Sequence, residues 1–343
     1  MNILIVRLSA IGDIIHSLPV LAAIKQHLPE ARVSWVAEQR SAEILRGNPL
    51  IDDLIEVDTR SFKGGRTIEN ILLEMSRQAR LIRRSKYDVA IDLQGLIKSA
   101  VATQVSAAKK RWGFDKKGMR EPAGRIFYTD TVKTEPKIHV IRKNLALAAA
   151  ALGFEASAAV DFPIATGAEH RAEAEVLIAK ADGRAFAILN PAGGWVTKLW
   201  RAADFGKLAD KLDAELSLTP IVVTGPNESE LAAAVRANSR SERVIFAEPS
   251  LKGFYELAKH ATVYIGGDTG PTHLAIAAGA PVVGFFGPTE WWRNGSLNPE
   301  DICVERNDID CRVDCHRRTC SNWICMDIPV ESVFEAVQKR IRA

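Results

Sequence analysis

The chain has 343 residues and a formal net charge of +3, with 47% hydrophobic and 25% charged residues. This length is enough for two domains with separate cores, and the composition is that of a globular protein. The small charge does not indicate a general nucleic-acid binder. No stretch approaches the roughly 18 uncharged apolar residues of a membrane span. The apolar run Ile3–Val6 lacks the features of a signal peptide, so a cytoplasmic protein is expected.

The first half of the chain alternates apolar strands with helices. Strands that are apolar throughout, rather than at alternate positions, indicate a parallel sheet covered by helices on both faces. The sequence predicts strands at Asn2–Arg7, Arg32–Ala37 and Tyr87–Leu93, with helices at Ile14–Leu28, Glu69–Ser85 and from about Gly95.

The second half repeats this pattern, so the sequence predicts an α/β protein of two doubly wound, Rossmann-like domains. We place them at residues 1–167 and 168–329, and the last helix, in 330–343, is a candidate to pack back onto the first domain. Predicted strands lie at 185–190, 219–224, 243–246, 262–266 and 281–286, and helices at 169–181, 202–216, 228–239, 251–260 and 271–278. Ligands of such sheets bind beyond the carboxyl ends of the strands, which predicts an active site in a cleft between two facing sheets.

Two common phosphate-binding motifs are absent from the sequence. Neither half has a G-x-G-x-x-G turn with a downstream acidic residue, and there is no G-x-x-x-x-G-K-[ST]. This argues against a dinucleotide oxidoreductase and against a P-loop enzyme.

The run Val263–Leu274 is the most informative stretch, because it predicts a buried strand, a glycine-bearing turn and a helix start. The free N–H groups of such a helix start bind phosphate, so Thr269 and Gly270 suit a diphosphate. Asp268 would repel that phosphate. It is therefore interpreted either as the helix N-cap or as a residue that orders the turn or holds sugar hydroxyls.

Other predicted strand ends in the second half carry polar loops. Gly193 and Gly194 allow close backbone approach, and Lys198 in the same loop supplies a cation, unless it is an ordinary surface lysine. Glu228 is either a first-turn helix acid or an acceptor for a ligand hydroxyl. With the loop Phe286–Thr289, these features predict a nucleotide-diphosphate site.

In the first half, Asp13 follows the first strand at a helix start. It is either an N-cap or a general base that takes a proton as a new bond develops. Positive charge accompanies the loop after the third predicted strand, Asp92–Ser99, which itself contains Lys98. This charge suits a substrate bearing carboxylates and phosphates, although each cation could equally belong to a solvated loop. These residues are Arg60, Lys63, Arg66, Lys98, Lys109, Lys110, Arg111, Lys116, Lys117, Arg120 and Arg125.

Five cysteines lie in the last fifth of the chain, at positions 303, 311, 315, 320 and 325. Without a secretion signal, disulfides are not expected. The spacing, with His316 inside, could make a zinc knuckle, but the C-x2-C pairs of structural zinc sites are absent. The alternative is a reduced, irregular loop with partly buried thiols.

Three spaced motifs together resemble glycosyltransferase family 9, the bacterial lipopolysaccharide heptosyltransferases. They are Leu4–Pro19, the loop with Lys198 and Trp200, and Asp268–His273 with Gly287–Thr289. Ala90–Ser99, Arg120–Pro122 and Phe127–Tyr128 are more similar to the heptosyltransferase I subgroup. Gly193 and Gly194 replace threonines that are frequent there, and the cysteine-bearing tail resembles members outside that subgroup.

The resemblance implies a GT-B fold and inverting transfer of heptose from ADP-heptose to the Kdo of Kdo-lipid A, without metal or cofactor. It implies that Asp13 is the catalytic base and that Lys198 contacts the donor phosphates. It further implies that Glu228 contacts the nucleotide or sugar, and that the sugar-diphosphate is bound by Asp268, Thr269, Gly270 and His273. The acceptor candidates are Arg60, Lys98 and Arg120.

Several alternatives remain open. The protein could be a heptosyltransferase II-like enzyme, a family 9 enzyme for another sugar, or a nucleotide-sugar epimerase of similar architecture. Non-catalytic alternatives are a nucleotide-sugar-binding protein and a zinc-stabilised interaction module. For the enzyme, we expect a monomer on the cytoplasmic face of the inner membrane that binds no nucleic acid.

Overall fold

The computed structural model describes residues 1–58, 76–156, 158–313 and 315–343. The chain divides into two units, Met1–Ala165 and Thr166–Ala343. Each unit contains a six-stranded sheet, and its strand pairs are parallel. Among the described helices, none has the length and apolar character needed to cross a bilayer.

The first unit is built on six strands and their crossover helices. The strands are β1 (Asn2–Val6), β2 (Arg32–Glu38), β3 (Asp53–Val57), β4 (Val89–Asp92), β5 (Lys110–Phe114) and β6 (Asp130–Val132), in the order β3-β2-β1-β4-β5-β6. The helices are α1 (Ile11–Ile15), α2 (Leu18–His27), α3 (described for 76–82), α4 (Ile97–Val105) and α5 (Val140–Leu152). The central strand β1 is almost fully buried.

The single helix predicted over Ile14–Leu28 is wrong, because the structure has two helices there, α1 and α2. Helix α1 begins three residues earlier than predicted and ends at Ile15. Pro19 occupies the first turn of α2, where its missing N–H costs nothing, whereas inside one long helix it would break the hydrogen-bond ladder. The Ser17 hydroxyl donates to the carbonyl of Asp13 at 2.9 Å across the break.

The second unit has the same plan. Its strands are β7 (Phe186–Asn190), β8 (Thr219–Val223), β9 (Ile245–Ala247), β10 (Val263–Gly267), β11 (Val282–Phe285) and β12 (Ile302–Val304), in the order β12-β11-β10-β7-β8-β9. Its helices are α6 (Ala168–Ala179), α7 (Ala202–Leu216), α8 (Ser229–Ala237), α9 (Leu251–Ala258), α10 (Gly270–Ala277), α11 (Trp291–Asn294) and α12 (Val330–Arg340).

The last helix, α12, belongs to the second unit. It packs on α7, β11 and β12, although the sequence made it a candidate to cross onto the first domain. Val333, Phe334 and Val337 enter the same apolar core as Trp200. Arg340 at its end pairs with the buried carboxylate of Asp301 at 2.8 Å. The amphipathic face of α12 is therefore used to complete this core.

Candidate functional site

Four loops of the second unit leave neighbouring strands at one edge of the sheet. Strands β8, β7, β10 and β11 are adjacent in that order, and parallel strands place their carboxyl ends on the same side. The loops are Thr224–Glu228, Pro191–Arg201, Asp268–Thr269 and Phe286–Glu290. In the last of these, Thr289 is buried, and its hydroxyl has no hydrogen-bond partner among the described residues.

Lys198, Asp268 and His273 form one cluster at this edge. The Lys198 Nζ lies 2.6 Å from Asp268 Oδ2 and 3.1 Å from the Asp268 carbonyl oxygen. His273 Nε2 lies 3.1 Å from Asp268 Oδ1. Asn294 of α11 donates more weakly to Oδ2, at 3.4 Å. Both carboxylate oxygens of Asp268 are therefore engaged, and the side chain is only 4% exposed.

The ionisation of Asp268 is controlled by these neighbours. Burial alone would raise the pKa of Asp268, but the hydrogen bonds and charges of His273 and Lys198 together outweigh that effect. The net effect holds the pKa of Asp268 well below its usual range. At neutral pH the cluster therefore contains a buried carboxylate paired with an ammonium group.

Thr269, and not Asp268, is the N-cap of α10. Thr269 has extended backbone angles, and its hydroxyl accepts from the backbone N–H of Thr272 at 3.5 Å. The N-cap alternative for Asp268 is therefore wrong, since its carboxylate is turned toward Lys198 and His273. The turn is fixed further by the buried Thr272 hydroxyl, which contacts the Tyr264 hydroxyl at 2.9 Å and the carbonyl of Gly267.

The loop after β7 has open space around Gly194 and places an aromatic ring, that of Trp195, beside Lys198. A Cβ on Gly194 would meet no atom within 4 Å, whereas a Cβ on Gly193 would approach Leu199 to 2.8 Å. Lys198 Nζ lies 4.3 Å from the centre of the Trp195 ring. Trp200, in contrast, is buried and packs on Phe285, so it anchors the loop in the core.

Glu228 closes the loop after β8. Its Oε2 accepts from the backbone N–H of Gly225 at 2.6 Å, and the residue is the N-cap of α8. Among the described residues, Oε1 has no hydrogen-bond partner. Glu228 is half-buried, so this second oxygen can accept a hydroxyl from a ligand.

In the first unit, Asp13 lies at the carboxyl end of the central strand β1, in the first turn of α1. Arg7, which is nearly buried, places its guanidinium 2.8 Å from Asp13 Oδ1. The backbone N–H of Ala10 donates to Oδ2 at 3.2 Å. The Asp13 side chain is nevertheless 47% exposed. The carboxylate is thus held in one orientation but remains open to a substrate.

The neighbouring strand β4 ends at Asp92, which is a structural residue. Its carboxylate is fully buried and accepts from the Tyr128 hydroxyl at 2.6 Å and from the backbone N–H of Gln94 at 2.8 Å. Burial raises the pKa of Asp92 despite these hydrogen bonds. The side-chain oxygen of Gln94 in turn accepts from the backbone N–H of Leu8 at 2.8 Å. These contacts connect the segments that follow β1 and β4.

The three acceptor candidates differ in their surroundings. Lys98, in the first turn of α4, is 2.6 Å from Oε1 of the buried Glu38, so its charge is already paired. Arg120 is exposed and makes no ion pair with the residues that the structure describes. Arg60 lies outside the described residues.

All five cysteines are free thiols, and Cys325 is buried against Gly287. Burial, followed by the nearby Cys315 and Cys311, raises the pKa of the Cys325 thiol. In the described parts of the chain, no three His, Cys, Asp or Glu side chains form a group that could hold a metal ion.

The structure brings Lys198, from the loop after β7, together with Asp268 and His273, which the sequence analysis had selected from the separate run Val263–Leu274. Sequence reasoning missed two contacts, one at Asp13 and one at Lys198. Arg7 belongs to the motif Leu4–Pro19, but nothing in its spacing shows that it orients Asp13. Trp195 lies in the same predicted loop as Lys198, but its cation–π contact with Lys198 depends on the folded conformation of that loop.

Comparisons with known proteins agree with this architecture. Residues 75–323 match the family model "Glycosyltransferase family 9 (heptosyltransferase)". Lipopolysaccharide heptosyltransferase 1 of Pseudomonas aeruginosa is 28% identical over 94% of this chain and 88% of its own length.

Two solved structures share the fold over nearly the whole chain. The E. coli heptosyltransferase WaaC with ADP superposes with a TM-score of 0.79 at 23% identity, covering 99% of this chain and 100% of its own. A family 9 glycosyltransferase from Veillonella parvula gives a TM-score of 0.81 at 21% identity, covering 99% and 97%. The predicted GT-B fold of two Rossmann-like halves is thereby confirmed.

Proposed function

Because the chain belongs to glycosyltransferase family 9, and is therefore a glycosyltransferase, we propose that it transfers heptose from ADP-heptose to the Kdo of Kdo-lipid A. The observation that carries the proposal is the ion pair between Lys198 and the buried Asp268 beside the first turn of α10. A relative of this chain is named lipopolysaccharide heptosyltransferase 1, and the similar E. coli enzyme was solved with ADP. An ADP-sugar fits a strand-end site of this kind.

On the donor side, the diphosphate binds at the start of α10. The backbone N–H of Gly270 has no intrahelical partner and lies at the positive end of the helix dipole, whereas Pro271 has no N–H and the Thr272 N–H donates to the Thr269 hydroxyl. Lys198 adds a positive charge here that the paired Asp268 carboxylate partly offsets, and the pairing fixes the position of the ammonium group. Oε1 of Glu228 accepts a hydroxyl of the nucleotide or sugar.

The reaction is a single displacement. The acceptor hydroxyl oxygen forms a bond to the anomeric carbon while the bond from that carbon to the diphosphate breaks, so ADP leaves and the configuration inverts. Asp13 takes the proton of the hydroxyl as the new bond develops, an assistance worth about 10² to 10⁴ in rate. Lys198 and the Gly270 N–H at the start of α10 stabilise the charge that grows on the departing ADP, without metal.

The acceptor side is assigned from the surface of the first unit. The 3-10 helix Pro122–Phe127 packs on α4, and two apolar side chains nearby are exposed, Ile126 at 79% and Ile97 at 44%. Arg120 supplies positive charge beside them. This combination suits an anionic lipid at the cytoplasmic face of the inner membrane. Arg60 remains a candidate because of the resemblance alone. An acceptor anion that binds the Lys98 ammonium group competes with the Glu38 carboxylate for it.

We place the chain in the heptosyltransferase I subgroup, acting as a monomer. The test is an acceptor panel, in which purified protein and ADP-heptose are incubated with Kdo-lipid A or with acceptors that already carry one or two heptoses. Products are separated by mass spectrometry. Transfer to Kdo-lipid A in preference to the other acceptors is expected. Transfer only to an acceptor that already carries heptose would overturn the assignment to the heptosyltransferase I subgroup. Conversion of ADP-heptose to another nucleotide sugar without an acceptor would indicate an epimerase.

A further inference from the structure

The tail segment 315–323 lies against the loop that carries Lys198. The hydroxyl of Thr197, a buried residue, donates to the carbonyl oxygen of Arg317 at 2.7 Å. The indole N–H of Trp323 donates to the carbonyl oxygen of Thr197 at 3.0 Å. Two hydrogen bonds therefore tie the tail to the middle of the proposed donor loop.

The next tail residue, Arg318, contacts this loop through its side chain. Its guanidinium carbon lies 5.2 Å from the centre of the Trp195 ring, which is within the range of a cation–π interaction. The same ring carries the Lys198 ammonium at 4.3 Å. Two cations, one from each segment, are therefore placed on one aromatic side chain.

The proposed donor site needs a second cation to balance the negative charge of a diphosphate. Lys198 is paired with the buried carboxylate of Asp268, and the pKa of Asp268 is held low, so this pair is close to neutral at physiological pH. A diphosphate carries at least two negative charges, which the Gly270 N–H and the helix dipole at the start of α10 offset only partly. Arg318 is exposed and has no acidic partner among the described residues, so its charge is available to an anion.

We propose that Arg318 is a donor-binding residue that contacts the diphosphate from the tail, with Trp195 as the platform that positions its guanidinium. This inference rests on the proposed function, because it takes the ligand to be an ADP-sugar. It gives the cysteine-bearing tail a role in the same site. Arginine suits that role, since its planar fork can bind two phosphate oxygens at once.

The test compares two adjacent arginines. Binding of ADP, AMP and adenosine is measured by titration calorimetry for the wild type, Arg318→Ala, Arg318→Gln and Arg317→Ala. Arg317→Ala is the matched control, because it removes the same charge one position away and keeps the carbonyl that binds Thr197. Both Arg318 variants are expected to weaken ADP binding about tenfold or more, as for a lost charge-assisted hydrogen bond. Adenosine binding is expected to stay unchanged in every variant.

Three results would overturn the inference while leaving the proposed function intact. These are unchanged ADP affinity in both Arg318 variants, an equal loss in Arg317→Ala, and an equal loss for adenosine. A wild-type protein that binds no ADP would overturn the inference together with the proposed function. Thermal unfolding of the two Arg318 variants checks that they are folded, and their unfolding temperatures are expected to match that of the wild type.

Discussion

At the scale of single residues, the proposed base and the proposed phosphate-binding lysine are both positioned by an oppositely charged neighbour. Arg7 orients Asp13 in the first unit, and Asp268 orients Lys198 in the second. In each pair the positioning residue is buried, while Asp13 and Lys198 are the more exposed members. A buried partner loses little further freedom when substrate binds, so the geometry of the reactive group is set in advance.

Replacement of the base tests the role of Asp13. Asp13→Asn is expected to lower the transfer rate by about 10² to 10⁴, since the amide cannot accept the proton. ADP affinity is expected to remain at the wild-type value, because the donor residues belong to the second unit. Initial rates and ADP titrations measure these two effects. Near-normal transfer by a folded Asp13→Asn protein would remove Asp13 from the catalytic role.

Asp268 links the donor site to stability. Asp268→Asn leaves the Lys198 ammonium without its partner and is expected to lower the free energy of unfolding by about 3 to 5 kcal/mol at pH 7. Because folding lowers the pKa of Asp268, its stabilisation is present above the unfolded value of about 4. The stabilisation is lost as the pH falls toward the folded value.

The measurement is urea unfolding of both proteins between pH 3 and pH 7. The difference between wild type and Asp268→Asn is expected to be constant above about pH 5 and to narrow below about pH 4. Asp308→Asn is the control, since Asp308 forms an exposed pair with Arg306, and it is expected to change stability little. A difference as large at pH 3 as at pH 7 would show that ionisation of Asp268 is not its source.

At the scale of elements, the hydrogen bond to Asp92 at the end of β4 requires the Tyr128 ring to lie close to the backbone of Gly113 in β5. A Cβ on Gly113 in β5 would come within 2.2 Å of the Tyr128 ring, whose hydroxyl donates to Asp92. Gly113→Ala is therefore expected to displace Tyr128 and to lower the free energy of unfolding by about 1 to 3 kcal/mol. Gly194→Ala, with open space around its Cβ, is the control and is expected to be nearly neutral. Equal urea midpoints for the two variants would contradict the claim that the Tyr128 ring leaves no room for a side chain at Gly113.

The elements also show what could be predicted from the sequence. The strands predicted in the sequence were recovered in the structure, because buried parallel strands are continuously apolar. Strands β3, β5, β6 and β12 were missed: three lie at sheet edges, and β5 begins with Lys110 and Arg111, so none has that signal. The candidate site residues were selected from strand-end loops, but their pairings could not be predicted, because Lys198 and Asp268 are 70 residues apart in sequence.

At the scale of the whole molecule, the proposed donor residues and the helix α12 belong to the same unit. A fragment of residues 166–343 is therefore expected to fold and to bind ADP with the affinity of the full chain. A fragment of 166–329 lacks Val333, Phe334 and Val337 of its core and is expected to be unstable. Circular dichroism and ADP titration measure both properties. A folded 166–329 fragment, or an unfolded 166–343 fragment, would contradict this division of the chain.

The central claim is heptosyl transfer, and it is tested most directly by the mass of the acceptor after reaction with different donors. The purified protein is incubated with Kdo-lipid A and either ADP-heptose, ADP-glucose or UDP-N-acetylglucosamine, with Asp13→Asn as the inactive control. The acceptor is expected to gain the mass of one heptosyl residue with ADP-heptose only, with release of ADP. An acceptor of unchanged mass with ADP-heptose, or one that gains a different sugar, would contradict the proposed function.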